Sequence, residues 1–139
     1  MSHEAAAYLK PLPDPTPATQ PFWDALREHK LKLQKSKKTG KVIYYPRSVS
    51  PFGPKDTLEW VECSGRGKVY SYTVARRPTA PQWGEDGDYA IAIVEVEEGA
   101  HVTANIVNCP ADEVRIGMSV KAVFADVTPD ITLLQFEPA

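Results

Sequence analysis

Cysteine is scarce in this 139-residue sequence, with Cys63 and Cys109 its only thiols. Two cysteines cannot build a disulfide scaffold, and these two lack the paired spacing of a metal or thioredoxin-like motif, so both are expected as reduced thiols. No apolar run approaches the ~20 residues that a membrane-spanning helix needs. The opening Met1-Ser2-His3-Glu4-Ala5 has neither a basic n-region nor an apolar h-region, and the chain reads as cytoplasmic. A Gly-x-Ser-x-Gly elbow, a Walker loop and Gly-x-Gly-x-x-Gly are all missing. Ser64-Gly65-Arg66-Gly67 is better explained as entry into a strand than as a phosphate cradle.

What is present favours a folded chain. Hydrophobic residues make up 42% and charged residues 24%, which excludes disorder as the main state and fits one compact domain or two very small modules. At this length folding removes about two thirds of the unfolded surface from water, so neither disulfide nor metal is obligatory. The net charge of -2 hides an asymmetry. Arg27 to Arg47 holds eight basic residues against Glu28 alone, whereas from Glu85 onward eleven acids stand against Arg115 and Lys121. One end can therefore face an anionic ligand while the other resembles a solvated surface.

Thirteen prolines are present, with Pro11, Pro13, Pro15 and Pro17 at alternate positions. Residues 1–18 therefore read as an extended arm, because proline fixes φ and removes donors. A helix is expected over 19–33, with Thr19 as N-cap, Pro21 in the first turn and Phe22, Trp23 and Leu26 on one apolar face. Beyond it the period becomes two, the mark of a mainly β protein. Lys41–Tyr45, Thr57–Glu62, Lys68–Arg76, Tyr89–Glu97, His101–Val107, Ser119–Val127 and Ile131–Phe136 are the expected strands, separated by Gly- and Pro-bearing turns. Tyr70, Tyr72 and Val74 are expected on one face of a strand curved by a bulge at Gly65 and Gly67. Three strands, a helical turn at Pro110 to Val114 and two more strands give the order of a five-stranded OB-fold barrel over 63–139. The strands at 41–45 and 57–62 would form a separate small hairpin within 34–62.

Several stretches then become specific together. Pro21-Phe22-Trp23 with Leu26, Leu31-Lys32-Leu33-Gln34, Pro46-Arg47, Leu58-Glu59-Trp60, Ser64 through Val74 and Arg115-Ile116-Gly117-Met118 resemble the family that joins a rubredoxin-like zinc ribbon to an OB fold, long known as a domain of unknown function and associated with acyl-CoA metabolism. In that family two Cys-x-x-Cys loops hold one structural zinc. Here the corresponding positions are Ser36, Thr39, Ser50 and Gly53, which cannot replace thiolates around tetrahedral zinc. The resemblance therefore implies a degenerate, metal-free ribbon and no zinc cofactor. A structural zinc can supply on the order of 10 kcal/mol to a small module. Tyr44, Tyr45, Phe52 and Trp60, with Pro46, Pro51 and Pro54, are the sequence's substitutes, and the ribbon is expected to pack on the barrel or on another subunit.

The resemblance further implies a non-catalytic accessory subunit of a thiolase-like protein, shaping a complex that binds a CoA thioester and acts as acyltransferase, thiolase or aldolase. Lys35, Lys37, Lys38 and Arg47 in the basic stretch, and Arg76-Arg77 after the first barrel strand, are the CoA-binding candidates, since cations near a groove attract phosphate. Each has a plainer reading as a solvated loop or an ordered turn. Phe22, Trp23, Leu26, Tyr45, Phe52 and Trp83 are candidates for the partner interface, where aromatic anchors are enriched, or else cover the barrel. His101 and Cys109 could form a base and nucleophile, but no orienting acid is evident and no catalytic residue is assigned. A stand-alone acyl-CoA binding protein is the alternative. A single-stranded nucleic-acid binder is a third reading, opposed by the acidity of the barrel half.

Overall fold

Small and large apolar residues alternate along Tyr89–Val96, and the alternation sets how the second half closes. Ala90, Ala92, Val94 and Val96 are buried, while Ile93 and Glu95 are exposed. Val102, Ala104 and Ile106 repeat the pattern, and Phe136 fills the interior between them. Each fully buried large side chain of this kind contributes about 1.5–3 kcal/mol of transfer free energy. In a computed structural model, which describes residues 10–76 and 87–139, the elements run α1 (Gln20–Arg27), β1 (Leu31–Ser36), β2 (Val42–Ile43), β3 (Leu58–Cys63), β4 (Arg66–Ala75), β5 (Tyr89–Val96), β6 (His101–Ile106), a 3-10 turn (Ala111–Glu113), β7 (Ser119–Asp126) and β8 (Thr132–Pro138).

The last five strands form a closed barrel in the order β4-β5-β6-β8-β7. β4 is long enough to pair with β5 along its length and with β7 at its start, and the parallel Ile106–Phe136 pairing joins β6 to β8. This is the expected OB barrel, with the short turn between its third and fourth strands. Gly67 sits where β4 crosses β5. A Cβ there would lie 2.6 Å from the carbonyl oxygen of Glu95, so only glycine allows the strands to come this close. The bulge, however, falls between Val69 and Ser71 rather than at Gly65 and Gly67. The regular face expected for Tyr70, Tyr72 and Val74 is thereby broken at Tyr70.

The helix is shorter than expected and ends at Arg27. Lys30 N–H donates to Ala25 C=O and His29 N–H to Leu26 C=O, a Schellman closure with His29 in the left-handed region at φ 60°. Glycine usually holds that position, and its absence made the stop invisible. Leu31–Ser36, assigned to the helix and the start of the ribbon, is instead the middle strand of a sheet ordered β2-β1-β3. β2 and β3 therefore do not form a hairpin with each other; each pairs with β1. Nor is the ribbon a separate module. Leu31, Leu33 and Cys63 share one apolar cluster with Phe22, Trp23 and Leu26 of α1 and with the barrel interior. No helix among the described residues is long and apolar enough to cross a membrane.

Candidate functional site

β1 ends at Ser36, which is fully buried, and the chain then turns back through Gly40 into β2. Across the ribbon, the loop after Pro46 brings in Ser50, also buried. Both hydroxyls donate to one oxygen of Asp56, Ser36 at 2.5 Å and Ser50 by a short bond. The other oxygen accepts the backbone N–H groups of Lys38 and Thr57, each at 2.9 Å. The serine oxygens in turn accept from Thr39 N–H and Phe52 N–H, both at 3.0 Å. A single carboxylate thus ties the two loops that face one another across the ribbon. These bonds, Ser36's first and then Ser50's, hold the Asp56 carboxyl down at about 2.

Two of the four positions that the resemblance implied for metal ligands, Ser36 and Ser50, converge at this knot. Thr39 joins only through its backbone, and Gly53, at φ 127°, accepts Asp56 N–H with its carbonyl. Hydroxyls that already donate to a carboxylate, with no thiolate or imidazole beside them, do not suit zinc. Among the described residues no group of three or more His, Cys, Asp or Glu could hold a metal ion. Beside the knot, Gln34 works as a surrogate strand. Its side-chain amide donates to Arg47 C=O at 2.8 Å and accepts Arg47 N–H at 2.7 Å, fixing the Arg47 backbone and leaving its guanidinium outside.

The partner-interface candidates divide. Phe22 (2% exposed), Trp23 (9%) and Leu26 (0%) are core residues, correcting the expectation that they anchor a partner. The apolar face of α1 is consumed against β1 and the barrel. Phe22 packs edge-on against Trp23 at 5.0 Å and against Tyr44 and Tyr45, and Trp23 Nε1 donates to the Tyr45 hydroxyl at 3.2 Å. Burial, with Tyr45 beside it, pushes the Tyr44 hydroxyl up to about 12. Tyr45 stays exposed. Phe52 is half-buried under the Lys41 ammonium, 5.9 Å from its ring centre. Trp83 lies outside the described residues, as does Arg77.

The phosphate-binding candidates also separate. Lys35 lies half-buried on β1 between Val42 and Glu59, while Lys37 and Lys38 are exposed in the turn that Asp56 caps. Arg47 is exposed on the opposite loop of the same knot. Arg76 is committed elsewhere: it reaches Asp88 at 2.7 Å and Asp112 at 2.5 Å, and these carboxylates, Asp112 first, raise its pKa further. The structure therefore gives Arg76 a role in pinning the end of β4 to the turn before β7. The imagined His101 and Cys109 pair does not meet either. His101 Nε2 contacts Glu95 at 3.3 Å and its ring lies 4.4 Å from that of Tyr70, whereas the Cys109 thiol donates to Pro110 C=O. Cys63 is buried, and burial with Glu98 nearby pushes its thiol up to about 12.

The barrel and ribbon have clear relatives. Residues 60–125 match the family model described as ChsH2, C-terminal OB-fold domain. A DUF35 domain-containing scaffold protein of Methanocaldococcus jannaschii is 42% identical over 91 residues. A solved chain of the Ltp2-ChsH2(DUF35) aldolase superposes with a TM-score of 0.80 at 28% identity, covering 91% of this chain and 98% of that one. The chain belongs to the DUF35 OB-fold family. A further relative, the 3-oxo-4,17-pregnadiene-20-carboxyl-CoA hydratase alpha subunit of Mycobacterium tuberculosis, is 32% identical over 117 residues and 84% of this chain. The chain spans 63% of the length of the archaeal scaffold protein and 36% of that of the mycobacterial subunit.

Two features were missed by sequence reasoning: Asp56 and Gln34. Asp56 did leave a signal, being the one acid between Glu28 and Glu59 in a run of cations. Gln34 left none, because its partner is backbone.

Proposed function

We propose that this DUF35 chain is a non-catalytic accessory subunit that docks on a larger, thiolase-like enzyme and helps it hold a CoA thioester. The observation that carries the reading is its likeness, at 28% identity and over 98% of the other chain, to the DUF35 component of an aldolase assembly. The scaffold name of the archaeal relative and the CoA substrate in the mycobacterial one point the same way. The surface is suited to docking. Tyr70 (55% exposed) and Ile93 (37%) lie on neighbouring barrel strands, with the His101 ring against Tyr70, and aromatic and aliphatic side chains of this kind anchor protein interfaces. The enzyme chemistry, whether acyl transfer, condensation or carbon–carbon cleavage, belongs in this reading to the partner. Affinity purification of the chain from its native host tests it. A thiolase-like protein in fixed stoichiometry, with CoA-thioester turnover only in the complex, is expected. Turnover by the lone purified chain, or its persistence as a monomer without such a partner, refutes it.

A further inference from the structure

The small sheet has one long open edge. Its order is β2-β1-β3, and the β2 edge is two residues long, whereas β3 runs for six residues from Leu58 to Cys63. Lys37 N–H donates to Thr57 C=O, and Ser36 N–H donates to Lys41 C=O on the other side of β1. Extended along the unbroken register of β1 with β3, this alternation turns the backbone of Glu59, Val61 and Cys63 toward β1 and that of Leu58, Trp60 and Glu62 outward. Among the described residues, no hydrogen bond reaches the outward N–H and C=O groups of Leu58, Trp60 and Glu62. Edge strands that must stay single are blunted by proline, lysine or a bulge. β3 has none of these.

The side chains along this edge define what it accepts. Leu58, Trp60 and Val61 are half-buried and form an apolar centre, while Glu59 and Glu62 are exposed, one on each face of the sheet. Neither carboxylate forms an ion pair among the described residues. Lys35 and Lys32 stand opposite them on β1. A strand added to β3 places its side chains about 5 Å from Glu59 and Glu62 but about 10 Å from the lysines of β1, roughly a Debye length. The nearer charges decide, so the edge selects a basic segment. They also oppose a second copy of this chain, which would double the carboxylates along one seam.

We propose that β3 takes up an extended segment of a partner protein, apolar and basic in composition, as an antiparallel added strand. The outward N–H and C=O groups supply the ladder, continuing the antiparallel pairing of the rest of the sheet. An aliphatic residue of the segment covers Trp60, and lysine or arginine meets Glu59 and Glu62. The surface lies on β3 rather than on the barrel strands that carry Tyr70 and Ile93, and the inference does not rest on the accessory-subunit reading.

The test titrates the isotopically labelled full chain, followed by NMR, with a synthetic peptide whose centre reads Lys-Val-Ile-Lys-Val, the antiparallel complement of Leu58 to Glu62. Saturable binding is expected, with amide exchange slowed at Leu58, Trp60 and Glu62 more than at Val61, which β1 already protects. N-methylation of the peptide's isoleucine, which faces Trp60, should weaken binding about fivefold or more because it removes a ladder bond. N-methylation of the valine before it, whose N–H points away from β3, should not. Joint Glu59→Lys and Glu62→Lys substitution should weaken binding about tenfold or more and leave the melting curve unchanged, since both side chains are exposed. Absence of saturation up to millimolar peptide overturns the proposal, as does equal affinity for the N-methylisoleucine peptide or in the doubly substituted chain. Protection of the same amides by concentration-dependent dimerisation of the chain alone overturns it in favour of a second copy.

Discussion

Ser36→Ala is the sharpest probe of what holds the ribbon together. The substitution removes one oxygen from a side chain that is 0% exposed, so it creates almost no cavity and reports on hydrogen bonding alone. That oxygen donates to Asp56 at 2.5 Å and accepts from Thr39 N–H at 3.0 Å. A hydrogen bond to a charged partner contributes about 1.5–3 kcal/mol, and the Thr39 amide, in an exposed turn, can find water instead. A loss of about 1.5–3 kcal/mol in urea unfolding is therefore expected, or roughly 5–10 °C in the melting midpoint for a domain of this size. The effect should depend on pH in a definite direction. Asp56 has its carboxyl lowered to about 2 in the fold against an ordinary value near 3.8. A group with a depressed folded pKa stabilises fully above its unfolded value and loses that contribution as pH falls toward the folded one. The difference between wild type and Ser36→Ala should accordingly be constant from neutrality down to about pH 4 and shrink between 4 and 2. Because Asp56 is only part-buried, added salt should reduce the difference somewhat. Amide exchange at Lys38 and Thr57 should accelerate in the variant more than exchange in β5. A change below about 0.5 kcal/mol, or an equal loss in Thr39→Ala, whose side chain does not touch Asp56, refutes the claim that this carboxylate closes the ribbon.

The remaining predictions concern other parts of the same fold. Purified protein should carry far less than one zinc per chain, and a chelator should leave its melting midpoint where it was; stoichiometric metal would contradict the donor set at Ser36 and Ser50. Trp23→Ala should cost about 3–5 kcal/mol of stability in the isolated chain, because the indole is buried against Phe22; a loss confined to partner association would return Trp23 to the surface. Gly67→Ala should destabilise by about 1–3 kcal/mol, since its Cβ meets backbone of β5 at 2.6 Å; an unchanged unfolding curve would show that β4 and β5 can part there. Cys63 should resist iodoacetamide at pH 8 in the folded chain and react once it is unfolded, given a thiol pushed up to about 12; rapid labelling in the native state would disprove its burial.

The barrel was legible because its strands obey one rule. β5 and β6 alternate cleanly against the barrel interior, and glycine and proline turns separate the barrel strands. The ribbon obeys two rules at once, and there the reading failed. Leu31 and Leu33 fit the apolar stripe of a helix as well as the inward face of a strand, and the residue that breaks the tie is His29, whose left-handed backbone no propensity announces. That backbone is supported by tertiary contacts: the ring stacks on Phe124 at 5.3 Å, and Nε2 lies 3.0 Å from Asp126. Asp126 itself is lowered by Thr132 and then by His29, so the same contact fixes the start of β8. The candidate site was legible in type and not in place. Arg47 and the lysines were found from charge density, but their separation from Arg76 depends on Asp88, set across from it by the Ala75–Tyr89 pairing, and on Asp112 from the turn before β7.

The exchange at the ribbon inverts the chemistry of the knot it resembles. Zinc is a cation that gathers deprotonated ligands, so a ribbon built on it needs thiolates and is weakened when they take up protons. Asp56 is an anion that gathers donors, and it needs its partners protonated: two hydroxyls and two backbone N–H groups. Serine at positions 36 and 50 is what such a centre requires, since each hydroxyl donates inward while its lone pairs accept the next turn's amide. Ser36 and Ser50, which hold Asp56, and the cations of the same loops are thus parts of one electrostatic arrangement, in which an anion ties the two loops together and the surface around it stays positive.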